Sequence, residues 1–479
     1  MSLKNYEITI WLEVHVRIKS KTKMFCNCKN CLELSEEANS NVCPICMWFP
    51  WMLPNINKEV IKLWLIWWMM MNCKINKKSR FDRKTYFYPD NPLSYQITQM
   101  YEPIVWNWIV KVLINWEIKE FSIHHMHLEN DAWKLTHVWW KTLMDFNRAW
   151  SPLMEIVTDP VFTNKEEVME FLKELQKMFR ASWVSDADME KWQMRCDVNI
   201  SIRPFWQKEY WVRTEIKNVN SFSAIWRVID FEANRQFLII NWWWKLKQET
   251  RWWDDEAWIS KVQRTKEDAM DYRYFPEPDL LPLILEDDFI EECKKKLPVL
   301  PLNKRIKYLN EFNLLEDDAR ILSENKDLSY YFDETVELTK DPKKSCSYLN
   351  SFIFALMKES YINDIKKIKI KSTDLAKIIN MVNKNELSST NAKIIIEEIF
   401  KNWWVVEDIA KEKNLIQKND INLLESIVND VLDKNKKQLE EYKSWKLNLF
   451  WFFVWQCMKL SKWSWNPKIF NDILKEKLK

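Results

Sequence analysis

Between Arg195 and Phe222 the chain runs through two polar–apolar alternations. In the first, Asp197, Asn199, Ser201 and Arg203 fall on one face of a strand, with Val198, Ile200 and Ile202 on the other. In the second, Arg213, Glu215 and Lys217 share a face. The connector from Pro204 to Trp211 is short enough for a hairpin, which would merge the two polar faces. Acid, amide, guanidinium and ammonium groups on one surface suit a metal–phosphate site. Carboxylates hold a hard cation, and basic groups neutralise phosphate oxygens. A salt-bridged sheet face is the commoner use of such residues.

Three further clusters carry chemistry. Residues 6–18 alternate as a strand that places Glu13, His15 and Arg17 side by side, opposite Leu12, Val14 and Val16. A Glu and a His two apart on a strand can share a metal, although an exposed polar face is the plainer reading. Cys26-Asn-Cys28 and Cys43-Pro-Ile-Cys46 supply four thiols, the number a tetrahedral structural zinc needs. Cys31 is a spare thiol nearby, and reduced, unliganded cysteines are the alternative. His124, His125, His127 and His137 gather beside Glu129 and Asp131, a mixture suited to metal or phosphate.

The positioning elements follow from periodicity. Residues 104–123 form a hairpin or meander, Lys58–Met71 a helix, and Arg80–Gln96 a basic, aromatic loop able to touch phosphate. Lys165–Ala181 carries an apolar stripe of Val168, Phe171, Leu172, Leu175, Met178 and Phe179, capped by Thr163 or Asn164. A second helix covers Phe222–Ile240. Prolines 276, 278, 282, 298 and 301 mark a boundary, beyond which strand alternation disappears and Lys-, Asn-, Ile- and Leu-rich helices take over. This division gives residues 1–295, 296–403 and 404–479, with a zinc knuckle near 26–46.

The composition is globular, with 47% hydrophobic and 29% charged residues. Net charge is only +3, which excludes a global electrostatic case for nucleic acid. The apolar run Leu63–Met71 is too short to span a bilayer and too far in for a leader, so a cytoplasmic protein is expected. One feature is abnormal: the chain has no glycine and 31 tryptophans. Ordinary usage gives about 7% glycine. The tryptophans sit where glycine belongs: Asn107-Trp108 and Asn115-Trp116 resemble hairpin turns, Ser464-Trp465-Asn466-Pro467 a turn, and Trp242–Trp244 and Trp252-Trp253 polar loops. Nearly every Trp is therefore read as a glycine position. A reassigned codon translated under the wrong table would produce this pattern, as would an artefact in the recorded sequence.

With Trp read as Gly, these motifs resemble the B subunits of the bacterial aspartyl/glutamyl-tRNA amidotransferases over essentially the whole chain. The resemblance rests on Ile10-Trp-Leu-Glu-Val-His15, on the run from Cys43 to Pro54 and on Phe81–Asp90. It continues through His127-Leu-Glu-Asn-Asp-Ala-Trp-Lys134, Arg195–Ser201, Glu215–Phe222, Asp271–Pro278 and Trp451–Lys459 with Asn466-Pro467. It implies an α+β fold. An N-terminal cradle domain has a mainly antiparallel sheet with flanking helices, and an all-α helical domain and a small α-helical tail domain follow.

It further implies ATP- and Mg²⁺-dependent phosphorylation of the side-chain carboxylate of Glu on tRNA(Gln) or Asp on tRNA(Asn). Ammonia from a partner amidase (glutaminase) subunit would then displace the phosphate, in a complex with a small third subunit. By the same resemblance Glu13, His15, Glu129, Asp197 and Glu215 would hold magnesium. Arg195, Arg213 and Lys217 would neutralise phosphate, and Asn199 and Lys134 would contact the nucleotide. Cys26, Cys28, Cys43 and Cys46 would hold zinc, and Lys459 and Lys462 would touch tRNA. Asn130 departs from a second Glu found in relatives. No Ser-Ser pair with an upstream Lys is present, so ammonia release belongs elsewhere. The rival of another class is a non-catalytic, zinc-stapled RNA-binding scaffold. It explains the cysteines and the basic tail but not the carboxylates at 13, 129, 197 and 215.

Overall fold

The structure is a computed structural model. It describes residues 5–31, 37–71, 73, 75–88, 93–103, 105–207, 209, 212–242, 245–265, 272–402, 405–413, 415–416, 421–444, 446, 448–460 and 467–478, without the side chains of 105–107, 264–265, 421–423 and 467–469. Two compact units divide it, 1–304 and 305–479.

The first unit is built on strands β1 (Tyr6–Arg17), β2 (Lys78–Ser79), β3 (Asp82–Thr85), β4 (Tyr95–Thr98), β5 (Val105–Ile114), β6 (Glu117–Asn130), β7 (Lys134–Val138) and β8 (Lys141–Asp145). They continue as β9 (Pro152–Thr158), β10 (Met194–Pro204), β11 (Thr214–Lys217), β12 (Glu249–Asp254), β13 (Ile259–Thr265), β14 (Phe275–Pro276) and β15 (Leu283–Ile284). Eight of them form one sheet in the order β13-β12-β11-β10-β1-β9-β6-β5. Every pairing in it is antiparallel except β11 with β12. Its apolar face is the core. Leu12, Val14, Val16, Val198 and Ile200 are fully buried there, each contributing about 1.5–3 kcal/mol.

Helix α1 (Lys58–Met70) belongs to the same core cluster. Helices α2 (Lys165–Ala181) and α3 (Phe222–Asn241) pack against this sheet. α2 starts at the N-cap Asn164, backed by a bond from Glu167 to the residue before it. Asn164 accepts from the Glu167 N–H at 2.9 Å, and the Glu167 carboxylate accepts from the Thr163 N–H at 2.9 Å. The Ser221 hydroxyl caps α3 by accepting from the Ala224 N–H.

Within the stretch expected as a loop from Arg80, Asp82–Thr85 and Tyr95–Gln96 instead join a small sheet, β14-β3-β4. Its alternation is masked by the basic residues it presents. Gln96 and the Ile97 N–H bond to Asn130, and the Leu128 N–H bonds to Gln99, fastening β4 to the end of β6. Asn130 is thus a structural bolt.

Asn115 and Trp116 take φ of 49° and 71°, the signature of the tight turn expected between β5 and β6. Asn107-Trp108 lies inside β5 instead, and Trp252 and Trp253 lie inside β12, where loops were expected. Trp465 and Trp243–Trp244 lie outside the described residues.

Among the described residues, eight tryptophans (Trp48, Trp51, Trp116, Trp139, Trp150, Trp183, Trp192 and Trp258) have φ between 53° and 71°. A side chain there costs energy that glycine avoids. The indole N–H groups of Trp64, Trp67 and Trp68 are buried without a partner, at a cost of roughly 1–3 kcal/mol each. Both facts support reading these positions as glycine. Trp253 behaves differently. It is buried, its N–H donates to Asp255 at 2.9 Å, and its ring meets Phe231 edge-on.

The second unit is helical from Arg305 onward. It holds two buried clusters, one within Tyr308–Ala410 and one within Leu424–Leu478. Among the described residues no helix is long and apolar enough to cross a membrane.

Candidate functional site

Strand register assembles the site. Across the sheet, His127 on β6 faces Glu155 on β9, which faces His15 on β1, which faces Arg195 on β10. Two residues along, His125, Val157, Glu13 and Asp197 form the next row. A third row pairs Asn199 with Glu215 on β11, and Glu215 with Thr250 on β12. Period two puts all three rows on the face opposite the apolar core. The expected hairpin joins β10 to β11, but β11 begins only at Thr214. Arg213 lies before it, exposed, with its guanidinium 5.7 Å from the Trp11 ring.

Glu13, His15, Arg195 and Asp197 of the first two rows floor a cavity of about 460 Å³. Glu13, His15, Glu129, Arg195, Asp197 and Lys217 line it. Asn218, Val219 and Asn220 rim it at the approach to α3, and Lys84 enters from β3. Lys217 bridges two carboxylates, donating to Asp197 and lying 2.9 Å from Glu215. His15 Nε2 sits 3.5 Å from Glu13, 3.5 Å from Glu155 and 3.8 Å from Glu129. Glu155 also lies 3.4 Å from His127 Nε2.

The electrostatics follow from this crowding. Burial and the nearby Glu155 carboxylate raise the Glu13 pKa to about 7. Burial opposes charge on His127, but Glu155 and Glu129 outweigh it and push it up to about 9. Burial likewise disfavours the Glu155 anion, yet His127 and His15 hold it well below the usual carboxylate range.

Which groups can hold a cation is read from donor spacing. Ligand atoms of Glu13, Asp197 and Glu215 lie within 4.8 Å of one another, three hard oxygen donors that fit Mg²⁺. Glu13, His15 and Glu155 make a second such group, and His125, His127 and Glu155 a third. Glu129 is in none of these groups, and faces His15 and His127 at 3.8 Å each.

Elsewhere in the first unit the sulfurs of Cys26, Cys28, Cys43 and Cys46 lie within 4.8 Å of one another, so this cluster can hold a metal. The fully buried Lys23 donates to Cys46 Sγ at 3.5 Å, and the Cys43 N–H donates to it at 3.2 Å. Contact with Cys26, aided by Lys23 and against burial, lowers the Cys46 pKa to about 5. Cys31 stands apart from the cluster, its carbonyl accepting from Arg17.

Asn199 is buried in the sheet opposite Glu215. Lys134 is exposed on β7 and is not one of the residues lining the cavity, and His137 is bonded to Thr142 in the same hairpin. Lys459 is exposed on the helix Leu449–Leu460 of the second unit, and Lys462 lies outside the described residues.

Sequence reasoning missed Glu155 and Lys84 as site residues. The signal for Glu155 was a single carboxylate inside the apolar strand Pro-Leu-Met-Glu-Ile-Val-Thr, tolerable only with a partner. Lys84 lay in the motif after Phe81 but looked like one of several loop cations.

Comparison with known proteins gives a consistent result. The GatB/GatE catalytic domain family matches residues 8–291, and the GatB domain family matches residues 330–478. The aspartyl/glutamyl-tRNA(Asn/Gln) amidotransferase B subunit of Caldicellulosiruptor bescii is 40% identical over 477 residues, covering 99% of each chain. The protein of that name from Fusobacterium nucleatum is 41% identical over 483 residues, covering 100% of each. The one from Persephonella marina is 38% identical over 475 residues, covering 99% of this chain and 100% of the relative.

Proposed function

The chain belongs to the B-subunit family of the aspartyl/glutamyl-tRNA(Asn/Gln) amidotransferases, and on that premise we propose how its site serves tRNA-dependent amidation. The substrate is the side-chain carboxylate of Glu on tRNA(Gln) or of Asp on tRNA(Asn). A carboxylate oxygen attacks the γ-phosphorus of ATP, and ADP leaves. Ammonia then attacks the acyl phosphate carbon, and inorganic phosphate leaves as the amide forms. A carboxylate is a poor acyl donor and its phosphate anhydride a good one, so positioning and charge neutralisation are the main demands.

The observation that carries this reading is one cavity holding both halves of the chemistry. Glu13, Asp197 and Glu215 would hold Mg²⁺, with His15 and Glu129 beside them; the ion would draw charge from the phosphate oxygens. Arg195 and Lys217 line the same cavity and would neutralise the transferred phosphoryl group. Lys217 is tied to Asp197 and Glu215, so a cation in that group would release its ammonium toward the anion. Arg213, Asn199 and Lys134 would meet the nucleotide.

The four cysteines would hold zinc as a structural staple. Ammonia would come from the amidase subunit of a complex that includes a small third subunit, in the cytoplasm. Residues 1–295 would form the cradle, 296–403 the helical domain, and 404–479 a tail that binds mischarged tRNA through Lys459 and Lys462. The deciding experiment is Asp197→Ala in the assembled complex. Amidation should be lost while glutaminase activity of the partner persists; full amidation would refute the metal-site assignment.

A further inference from the structure

We propose that Asp131 is a positioning residue that sets Arg195 in the cavity wall for an ATP phosphate oxygen, an inference that rests on the site reading above. Asp131 is 4% exposed at the end of β6. Its Oδ1 accepts from Arg195 Nη2 at 3.2 Å and from the Ala132 N–H at 3.0 Å. Its Oδ2 lies 3.4 Å from Arg148 Nε, and its own N–H donates to the Ser151 carbonyl at 2.9 Å.

The groups around it are fixed in turn. Arg148 donates to the carbonyls of Ala132 and Trp133 at 3.0 and 3.1 Å. Arg17, 2% exposed, donates to the Ser151 hydroxyl at 3.2 Å and to the Cys31 carbonyl. One carboxylate thus contacts two guanidinium groups, those of Arg195 and Arg148, with Arg17 near enough to act on it through charge. Arg17 and Arg148 are absorbed by the backbone and Ser151; of the three arginines only Arg195 lines the cavity, which Asp131 also borders. Asp131 holds it by a single nitrogen.

Two other roles fit less well. As a metal ligand Asp131 would have to join a compact donor group, and among the described residues it joins none. As a mere structural ion pair it would not require its one adjustable partner to face a cavity. Three cations around one anion leave net positive charge, which an incoming phosphate oxygen would complete.

The test is a double-mutant cycle on the glycine-restored chain assembled with its partner subunits, reading ADP formation against ATP concentration. Arg195→Ala and Asp131→Asn should each raise the KM for ATP about tenfold, and the double variant should be no worse than Arg195→Ala alone. Asp131→Asn effects that multiply those of Arg195→Ala, or an unchanged KM in Asp131→Asn, would overturn the inference while leaving the site intact. An unchanged KM in Arg195→Ala would overturn the site reading and the inference together. Should Asp131→Asn fail to fold, Arg148→Lys carries the test. It keeps the charge but loses the carbonyl fork, and should raise the KM about threefold; an unchanged KM would overturn the inference.

Discussion

The cysteine knuckle and the carboxylate surface are both donor clusters, but they are assembled over different lengths of chain. The knuckle draws four sulfurs from residues 26–46, and its ligands pair up at spacings of two and three. The carboxylate surface draws Glu13, Glu155, Asp197 and Glu215 from four strands, and only register brings them together. A local cluster survives in any fold that tolerates its loop. A register cluster exists only when the whole sheet closes correctly. The first therefore suits a staple and the second a reaction centre, whose groups must face one cavity from several directions.

The largest expected separation between the two comes from ligand removal. Asp197→Ala or Glu215→Ala should lower amidation by about 10³-fold or more, with the metal content of the knuckle unchanged by elemental analysis. Cys46→Ser should do the reverse. It should cost bound zinc and lower the Tm by about 5 °C or more, while the protein that stays folded keeps its KM for ATP. Loss of turnover without loss of stability in Cys46→Ser would erase the distinction.

A smaller effect is the pH dependence of cation binding. In the metal-free chain Glu13 carries a proton below about pH 7, and a cation must displace it. Mg²⁺ affinity should therefore rise with pH through 7, by up to about tenfold per unit below it, and calorimetry in buffers of different ionisation enthalpy should report proton release. Glu13→Gln should flatten that dependence. The smallest effect expected is in the tail: Lys459→Ala should reduce the salt slope of tRNA binding by about one, with the kinetics of ADP formation at saturating tRNA unchanged.

Legibility in the sequence follows the same division. The knuckle was readable because ligand spacing is a local property. Both strands of the β10–β11 hairpin were readable from alternation, as were α2 and its cap. Glu155 was not, because nothing local reveals that β9 pairs with β1 and β6 and so sets its carboxylate between His15 and His127. Lys84 was hidden for a related reason, since its sheet is separate in sequence from the strands it faces. Trp252 and Trp253 were misplaced because glycine-like positions usually mark loops, and β12 breaks that habit. Intact mass settles the tryptophans. A value well below 58.7 kDa is expected, and a match to it would sink the glycine reading.

The central claim is that the carboxylate surface activates an aminoacyl-tRNA carboxylate with ATP. Its most direct test is ADP release by the glycine-restored chain with its partner subunits, with Glu-tRNA(Gln) and Asp-tRNA(Asn) added separately. ADP formed only when a mischarged tRNA is present is the predicted result, and it would also show which amino acid is activated. No ADP with either tRNA, despite tight tRNA binding, would contradict the account and favour a non-catalytic RNA-binding scaffold.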